Sequence, residues 1–317
     1  MRYFVTGGAG FIGSNYVEHL FLNVEEVTGV TIYDKFTYAA NPKNYQEFVG
    51  DPRLTVIKGD ICDSNLLEKS MAGHDFVVHF AAESHVDRSI DDASAFVETN
   101  VLGTFRVLEA SRKVGIRTVI HVSTDEVYGS LSEGSADETF PLEPNSPYAA
   151  SKAASDLLAR SYFVTHELDV RITRCCNNYG KYQYPEKVIP VFINKLNSGQ
   201  KLPIYGDGRN IREWIHVSDH AKGIQTVLDK GLPGEIYNIG SDFQLSNNDL
   251  AKMILVAMGL DENRKSYIKD RQGHDFRYSI ASKKIASLGF NNEVSFESGF
   301  LKTIKWYMEN ESWWSTN

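Results

Sequence analysis

Short runs of apolar, β-branched residues alternate with amphipathic stretches through the first half of the chain. The runs are apolar along their whole length, which is typical of strands in a parallel sheet covered on both faces. The predicted strands are Tyr3–Thr6, Val27–Tyr33, Leu54–Ile57, Phe76–Phe80, Thr118–Val122 and Val170–Thr173. Helical patterns separate them near 12–22, 64–72, 94–114 and 147–167. This alternation predicts an α/β fold with a doubly wound parallel sheet, whose ligand lies at the carboxyl ends of the strands.

The pattern changes after residue 174. A stretch rich in proline and aromatic residues follows, with a Gly-Asp-Gly turn at 206–208. Helical patterns then lie near 218–230, 246–259 and 295–309. We therefore predict a first domain over 1–174, joined by a returning segment near 209–230, and a second, smaller α+β domain over most of 175–317. A cleft between two such domains is a common place for a ligand.

Composition narrows the class of protein. The chain has 317 residues, of which 42% are hydrophobic and 23% charged, as in globular proteins of more than one ordinary domain. The chain has 33 Lys and Arg residues and 41 Asp and Glu residues, which gives a net charge of −8. An acidic chain is a poor partner for nucleic acid, because a phosphate backbone requires a basic face.

Cysteine usage and hydropathy indicate the compartment. The three cysteines are Cys62, Cys175 and Cys176, an odd number without a Cys-x-x-Cys pair, which argues against disulfides and against structural zinc. No apolar run approaches the ~20 residues that span a bilayer. The chain opens on a predicted strand rather than on a signal peptide. We expect a soluble, cytoplasmic protein without a metal, a membrane or a nucleic-acid partner.

A glycine-rich turn follows the first predicted strand. Gly7, Gly10 and Gly13 give the spacing Gly-x-x-Gly-x-x-Gly, immediately before a predicted helix. Glycines at such a turn allow the backbone to approach a pyrophosphate, and the helix presents free N–H groups and its positive dipole end. A glycine run alone is a weak signal, but its position between a strand and a helix favours a dinucleotide-binding (Rossmann) domain.

The second and third strands end at acidic residues. Asp34 lies 21 residues past Gly13 (34 − 13), where a carboxylate can accept hydrogen bonds from a ribose and repel a 2′-phosphate. This favours NAD over NADP, although Asp34 could be a turn acid and the neighbouring Lys35 leaves an opening for NADP. Asp60 and Ile61 are candidate contacts to the adenine, and a simple turn explains them nearly as well.

Two groups of residues have the chemistry of a catalytic site. Tyr148 and Lys152 share one face of a helix, so the ammonium group could lower the tyrosine pKa and make it a base; an ordinary surface pair is the alternative. Asp125 and Glu126 follow the fifth strand at the edge where ligands bind. They could be an exposed helix-start pair or an acid and a base acting on neighbouring atoms, and the residues alone leave both open.

Several motifs resemble one family. The Thr124-Asp125-Glu126 triplet, the glycine-rich turn and Tyr-x-x-x-Lys are similar to those of the extended short-chain dehydrogenase/reductases, and most closely to the dTDP-glucose 4,6-dehydratases. Related sugar-nucleotide epimerases and decarboxylases share the last two motifs but generally lack the acid pair. The resembling segments, over nearly the whole chain, are Thr6–Ser14, Tyr33–Asn41, His79–Ile90, His121–Gly129, Ser146–Asp156, Asn177–Pro190, Leu202–His216 and Gly273–Tyr278.

The resemblance implies a reaction and a role for each catalytic residue. Tyr148, with Lys152 beside it, would take the proton of the sugar 4-hydroxyl while a hydride passes from C4 to NAD. Thr124 would hydrogen-bond the 4-oxygen. Glu126 would then remove the C5 hydrogen, and Asp125 would protonate the departing 6-hydroxyl. Return of the hydride to C6 would give a 4-keto-6-deoxy sugar and restore NAD.

The resemblance also implies two sets of binding residues. The positions expected to contact the cofactor are Gly7, Gly10, Phe11, Ile12, Gly13, Asp34, Lys35, Thr37, Asp60, Ile61, Ala81, Ala82, Thr99, Tyr148, Lys152 and Asn177. Those expected to contact the nucleotide sugar are Ser84, Asn177, Glu186, Lys187, Leu202, Pro203, Tyr205, Arg212, Asn247, Arg271 and Tyr278. The arginines among them suit phosphate oxygens, because a guanidinium group can bind them bidentately.

Some positions depart from the family pattern. Lys181, Cys176, Gln272 and Glu213 replace residues that are more usual there, and several lie near the expected nucleotide pocket. None of them touches the catalytic residues, but they leave the choice between thymine and uracil open, so a UDP-glucose 4,6-dehydratase is an alternative. A sugar-nucleotide 4-epimerase is a second alternative among enzymes. A catalytically silent NAD-binding protein is a third, but none of the catalytic residues is lost.

The resemblance implies a homodimer as well. The predicted helices at 94–114 and 147–167 match those that pair as a four-helix bundle in the family. Their apolar residues could equally face the core of their own subunit.

Overall fold

The structure, a computed structural model, describes residues 1–314; residues 315–317, the end of the predicted second domain, lie outside the described part. The strands are β1 (Arg2–Thr6), β2 (Gly29–Asp34), β3 (Leu54–Lys58), β4 (Phe76–His79), β5 (Thr118–Thr124), β6 (Val170–Cys175), β7 (Asn177–Tyr179), β8 (Leu202–Tyr205), β9 (Ile211–His216), β10 (Ile236–Ile239), β11 (Gln244–Ser246) and β12 (Lys265–Ile268). The α-helices are α1 (Phe11–Asn23), α2 (Ser64–Met71), α3 (Val86–Asp91), α4 (Ser94–Phe96), α5 (Thr104–Val114), α6 (Pro147–His166), α7 (Val188–Asn197), α8 (Val217–Lys230), α9 (Asn247–Ala257), α10 (Lys283–Ser287), α11 (Phe296–Glu309) and α12 (Glu311–Trp314). A π-helical segment, Val97–Gly103, joins α4 to α5.

The central element is a seven-stranded parallel sheet with the order β10-β6-β5-β4-β1-β2-β3. The strand order reverses beside β1, and helices cover both faces, which confirms the predicted doubly wound α/β fold. All residues of β4 and β5 are buried, as their unbroken apolar runs indicate. The edge strand β3 is more exposed, because it has a neighbour on one side only.

The seventh strand, β10, lies outside the first half of the chain and was missed by the sequence analysis. It pairs with β6, and the preceding helix α8 packs against α1. Its run Ile236–Ile239 is short, is interrupted by Asn238 and lies outside the strand–helix alternation of the first half, so periodicity does not distinguish it from the surrounding segment. The chain therefore returns to the large sheet after residue 230, while the boundary between domains at 174 and 175 stays a prediction.

The second half of the chain has its own apolar core. Side chains from α7, α9 and α11 meet there beneath two small sheets with the orders β11-β9-β7 and β12-β8. Helix α7 was not predicted, since Pro190 falls within it; proline is tolerated there because it lies in the first turn. Within residues 1–314, no helix is long and apolar enough to cross a bilayer.

Candidate active site

Two adjoining cavities lie along the carboxyl ends of the strands of the large sheet. The first, of about 320 Å³, is lined by every residue predicted to contact the cofactor and by Thr124, Asp125 and Glu126. The second, of about 410 Å³, lies between the large sheet and the second half of the chain. The two cavities share a wall, because four residues line both: Glu126, Asn177, Glu186 and Lys187.

Most residues predicted to contact the substrate line the second cavity. These are Asn177, Glu186, Lys187, Pro203, Tyr205, Arg212, Asn247, Arg271 and Tyr278. Ser84 lines the first cavity instead, and its carbonyl oxygen accepts a hydrogen bond of 2.6 Å from Lys187 Nζ. Leu202 is not at either cavity, since its side chain is fully buried in the second core. Its neighbours in β8 point the other way, as alternation along a strand requires.

The glycine-rich turn has the shape that a dinucleotide requires. Gly7 has φ +69°, and a Cβ atom there would lie 2.7 Å from the backbone nitrogen of Ala81. A Cβ atom on Gly13 would collide with the carbonyl oxygen of Gly7. Helix α1 begins at Phe11 with no side chain capping its first turn, so its N–H groups remain available for an anion.

Asp34 is held in place at the end of β2. Its Oδ2 accepts a hydrogen bond of 3.0 Å from Ala9 N, and its Oδ1 accepts one of 2.8 Å from Phe36 N. Burial raises the pKa of Asp34, and these two N–H groups oppose that rise. Lys35 forms an ion pair of 2.7 Å with Asp60, so its ammonium group already has an acidic partner. The arrangement suits an unphosphorylated ribose better than a 2′-phosphate.

Tyr148 and Lys152 lie in the first two turns of α6, with both side chains buried. Helix α6 is fixed at its start by Ser146, whose hydroxyl accepts a hydrogen bond from Ala149 N. Lys152 Nζ donates a hydrogen bond of 2.8 Å to the carbonyl oxygen of Val122. The helix thus brings the phenol and the ammonium group to the first cavity, beside the end of β5.

The expectation that the pKa of Tyr148 is lowered is wrong for this arrangement of the protein's side chains. Burial raises the pKa of Tyr148 well above 10, with a further contribution from the charge of Glu126, and a hydrogen bond with Thr124 opposes the rise only in part. Burial also lowers the pKa of Lys152. Desolvation is therefore the largest influence on the pKa of both groups.

The adjacent carboxyl groups lie in a short 3-10 turn, Asp125–Tyr128, directly after β5. The Thr124 hydroxyl caps this turn by accepting a hydrogen bond from Glu126 N and donates one of 3.2 Å to Asp125 Oδ1. Asp125 is 3% exposed, and Glu126 faces both cavities. The alternative of an exposed helix-start pair is therefore wrong.

The two carboxyl groups have different surroundings. Burial, together with the charges of Glu126 and Glu213, raises the pKa of Asp125 well above its usual value. Burial also raises the pKa of Glu126, but the charges of Lys187 and Arg212 oppose the rise. Asp125 thus favours the protonated form that an acid needs, while Glu126 has positive neighbours that favour the ionised form of a base.

Replacing Asp125 with asparagine should make the protein more stable, and increasingly so as the pH rises. A carboxyl group whose pKa is higher in the folded state than in the unfolded state destabilises the protein as the pH rises. The loss begins at the unfolded-state pKa and continues up to the folded-state pKa. The amide has no such loss, so we expect a gain of about 1–2 kcal/mol at neutral pH. Urea denaturation of both proteins between about pH 4 and 8 measures it. A stability difference that is independent of pH would contradict the buried, protonated state of Asp125.

Two arginines in the second cavity are held against aromatic rings. The Arg212 guanidinium carbon lies 4.3 Å from the ring centre of Tyr278, and that of Arg271 lies 5.1 Å from the ring centre of Tyr205. Arg271 also forms an ion pair with Asp87: its Nη2 donates a hydrogen bond of 2.9 Å to Oδ2, and its Nε lies 2.7 Å from Oδ1. These contacts orient both guanidinium groups at the cavity, where they can bind phosphate oxygens.

Some residues at the site were missed by the sequence analysis. Asp87 lies within a family-like motif, but its partner Arg271 is 184 positions away. Arg88 covers the ring of Tyr38 at 3.8 Å and forms an ion pair of 3.2 Å with Glu186. Motif spacing does not indicate that residues so far apart in the sequence form pairs.

The histidines in the motifs take part in hydrogen bonds or ion pairs rather than in a metal site. His79, for example, is buried between the hydroxyl groups of Thr6 and Thr104, at 2.7 and 3.0 Å. Across residues 1–314, no three His, Cys, Asp or Glu side chains are grouped so as to hold a metal ion.

Comparison with known proteins identifies the family. The family model described as GDP-mannose 4,6 dehydratase matches residues 4–303. A dTDP-glucose 4,6-dehydratase from Actinoplanes sp. is 50% identical over 320 residues, which cover 99% of this chain and 100% of that protein. The chain belongs to the dTDP-glucose 4,6-dehydratase family. The predicted recognition from the Thr-Asp-Glu triplet is thus confirmed.

Solved structures of other dehydratases and epimerases have the same fold. The dTDP-glucose 4,6-dehydratase DesIV from Streptomyces venezuelae, crystallised with NAD bound, superposes with a TM-score of 0.98 at 52% identity, over 99% of each chain. A UDP-glucose 4-epimerase from Thermotoga maritima, solved with UDP-glucose, gives a TM-score of 0.90 at 27% identity, over 98% of this chain and 100% of that one. The fold alone does not separate the two activities, so the argument for a dehydratase depends on the acid pair.

Proposed function

We propose that this protein is an NAD-dependent hydro-lyase that converts dTDP-glucose into dTDP-4-keto-6-deoxyglucose. The observation that carries the proposal is the position of Asp125 and Glu126. Both line the first cavity with Tyr148, Glu126 also lines the second, and their surroundings favour an acid and a base. The family membership of the whole chain supports the same reaction.

The residues of the first cavity fit NAD. Gly7, Gly10 and Gly13 leave room for a pyrophosphate at the start of α1, and the Asp34 carboxylate can accept hydrogen bonds from a ribose. NAD, when bound, accepts a hydride from C4 of the sugar and later returns it to C6. The remaining chemistry belongs to side chains of the protein.

Proton transfers account for the rest of the reaction. Tyr148 takes the proton of the 4-hydroxyl as a phenolate, a form that burial disfavours and that a positive charge next to the ring would stabilise. Thr124 hydrogen-bonds the 4-oxygen. The 4-ketone acidifies the C5 hydrogen, so Glu126 removes it as a proton, while Asp125 gives its proton to the departing 6-oxygen and releases water. Glu126 then returns its proton to C5 as the hydride reaches C6. The proton gained by Tyr148 balances the one lost by Asp125, so its passage to Asp125 restores the enzyme.

The second cavity would hold the nucleotide diphosphate. Arg212 and Arg271 are placed to bind the phosphate oxygens, and Lys187 lines both cavities. Pro203 and Tyr205 line the wall available to the base. Leu202 can support this wall only from the core behind it.

A direct comparison of two sugar nucleotides tests the proposal. We expect dTDP-glucose to give a product lighter by one molecule of water, and UDP-glucose to be converted less efficiently. A product of unchanged mass would indicate a 4-epimerase and overturn the proposal. A clear preference for UDP-glucose would keep the reaction but overturn the assignment of the nucleotide.

We infer that the enzyme is a homodimer formed through a four-helix bundle. In helix α6 and the segment before α5, some apolar side chains are buried in the subunit, whereas Val97 and Leu157 are 56% and 60% exposed. Leu102 and Val164 add to the same exposed apolar set. Light scattering should give twice the mass of the chain, and replacement of Leu157 by aspartate should give the mass of one chain. A monomeric wild-type protein would contradict the inference.

A cytoplasmic location is also inferred. The structure leaves Cys62, Cys175 and Cys176 as free thiols, which is compatible with a reducing compartment. Fractionation of the source cells should place the protein with cytoplasmic markers, and recovery with the membrane or the secreted fraction would contradict this.

A further inference from the structure

The C-terminal end of the described chain lies against the turn that would hold the cofactor. Trp313 Nε1 donates a hydrogen bond of 2.8 Å to Asn44 Oδ1, and Asn44 Nδ2 donates one of 2.9 Å to the carbonyl oxygen of Ala9. Asn44 is 3% exposed, so these bonds are shielded from water. Ala9 lies within the glycine-rich turn, and its own N–H group donates to Asp34. A continuous series of hydrogen bonds therefore links Trp313 to two parts of the cofactor cavity.

The main chain around Trp313 is also tied to the segment next to the turn. Lys43 Nζ donates a hydrogen bond of 2.9 Å to the carbonyl oxygen of Ser312. Asn41 Nδ2 donates one of 3.4 Å to the carbonyl oxygen of Trp313, and Asn41 N donates one of 3.1 Å to Ala9 O. Ser312 and Trp313 thus contact the segment after β2 through main-chain and side-chain groups.

Trp313 also packs in an aromatic cluster, which we call the C-terminal clasp: Tyr182, Trp306, Tyr307 and Trp313. The ring centres of Trp313 and Trp306 are 5.1 Å apart, and both rings contact Tyr182, at 5.9 and 5.2 Å. Tyr307 donates a hydrogen bond of 2.6 Å to the carbonyl oxygen of Gln183. The clasp therefore holds the segment that contains Tyr182 and Gln183.

The backbone of that segment is in a conformation that needs support. Tyr182 has φ +74°, which is costly for a residue with a side chain and persists when the surroundings enforce it. The next two residues, Gln183 and Tyr184, line the first cavity. The two sets of contacts made by Trp313 thus reach two different walls of the same cavity, the glycine-rich turn and the segment after β7.

We propose that Trp313 is a positioning residue that, through the C-terminal clasp and Asn44, keeps NAD in its cavity between the two hydride transfers. The inference rests on the proposed function, because it takes NAD as the ligand of the first cavity. Trp313 itself does not line that cavity, so its effect passes through Ala9, Gln183 and Tyr184. Retention matters because the same cofactor molecule must return the hydride that it took.

Replacing Trp313 with alanine removes the indole N–H that binds Asn44 and the ring that packs against Tyr182 and Trp306, while the main-chain bond from Asn41 can stay. The replacement leaves the buried Asn44 oxygen without its donor. The loss of one such hydrogen bond corresponds to about a tenfold change in the rate constant of NAD release. We expect NAD to leave the variant about tenfold faster than the wild type, and less NAD to remain after gel filtration. Replacement by phenylalanine keeps a ring against Tyr182 but removes the indole N–H, so we expect an intermediate, roughly threefold effect.

A matched control separates positioning from loss of stability. Ile304 lies on α11 and is buried in the same second core, but it belongs to neither set of contacts. Replacement of Ile304 by valine should lower the melting temperature while NAD release stays at the wild-type rate. The proposal is overturned if Trp313→Ala releases NAD at the wild-type rate. It is also overturned if Ile304→Val, at an equal loss of melting temperature, accelerates NAD release as much as Trp313→Ala does.

The release experiment is independent of the proposed reaction. NAD release is measured without any sugar nucleotide, so it gives an answer even if dTDP-glucose proves not to be the substrate. In the turnover assay, Trp313→Ala should release more reduced cofactor into solution per turnover than the wild type, because the cofactor is in its reduced form between the two transfers. Equal release of reduced cofactor by the two proteins would also contradict the proposal.

Discussion

Replacing Glu126 with glutamine should stop the reaction after the sugar has been oxidised. The amide cannot take the C5 proton, so turnover should fall by about 10²–10⁴-fold, the usual contribution of a general base. The first hydride transfer does not need this carboxylate, so reduced cofactor should accumulate on the enzyme when dTDP-glucose is added. Absorbance of the reduced nicotinamide and exchange of the C5 hydrogen with deuterated solvent measure the two effects.

The control for this variant is Glu133→Gln. Glu133 is exposed and follows the same strand, and it lines neither the first nor the second cavity. It should turn over as the wild type does. If Glu126→Gln exchanged the C5 hydrogen at the wild-type rate, Glu126 would not be the base.

Replacing Tyr148 with phenylalanine should block the reaction one step earlier. Without the phenol, no group takes the 4-hydroxyl proton as the hydride leaves C4, so we expect turnover to fall by about 10²–10⁴-fold. In contrast to the Glu126 variant, little reduced cofactor should form. Stopped-flow absorbance with dTDP-glucose distinguishes the two variants, and retention of NAD after gel filtration shows whether the cavity is intact.

Tyr162→Phe is a matched control on the same helix. The Tyr162 hydroxyl donates a hydrogen bond of 3.1 Å to Glu109 and lies away from both cavities. Its loss should leave the rate of cofactor reduction unchanged. A Tyr148→Phe variant that reduced the cofactor at the wild-type rate would show that another group takes the proton.

Sequence patterns predicted the large sheet well because its strands are buried on both faces. The apolar runs at β4 and β5 belong to the strand–helix alternation of the first half, whereas the run at β10 is interrupted by Asn238 and follows a helix of the second half. The glycine-rich turn was predictable for a different reason, because local backbone geometry requires glycine at its positions. Helix α7 was not predicted because it contains Pro190. Proline ordinarily argues against a helix and is tolerated only in the first turn.

The electrostatics of the site were the least predictable part. The spacing of Tyr148 and Lys152 predicted their common face correctly, but the pKa of the phenol depends on burial, which spacing does not report. The contrast between Asp125 and Glu126 likewise depends on Glu213, Lys187 and Arg212, which are distant in sequence. Only the folded chain brings these charges together.

The measurement that tests the central claim most directly uses dTDP-glucose carrying deuterium at C4. The account predicts a 4-keto product that has lost one molecule of water and carries the deuterium at C6, because one cofactor molecule takes the hydride and returns it within the same site. In deuterated water, unlabelled substrate should gain one solvent deuterium at C5. Deuterium that stayed at C4, or a product that kept the 6-hydroxyl, would contradict the account.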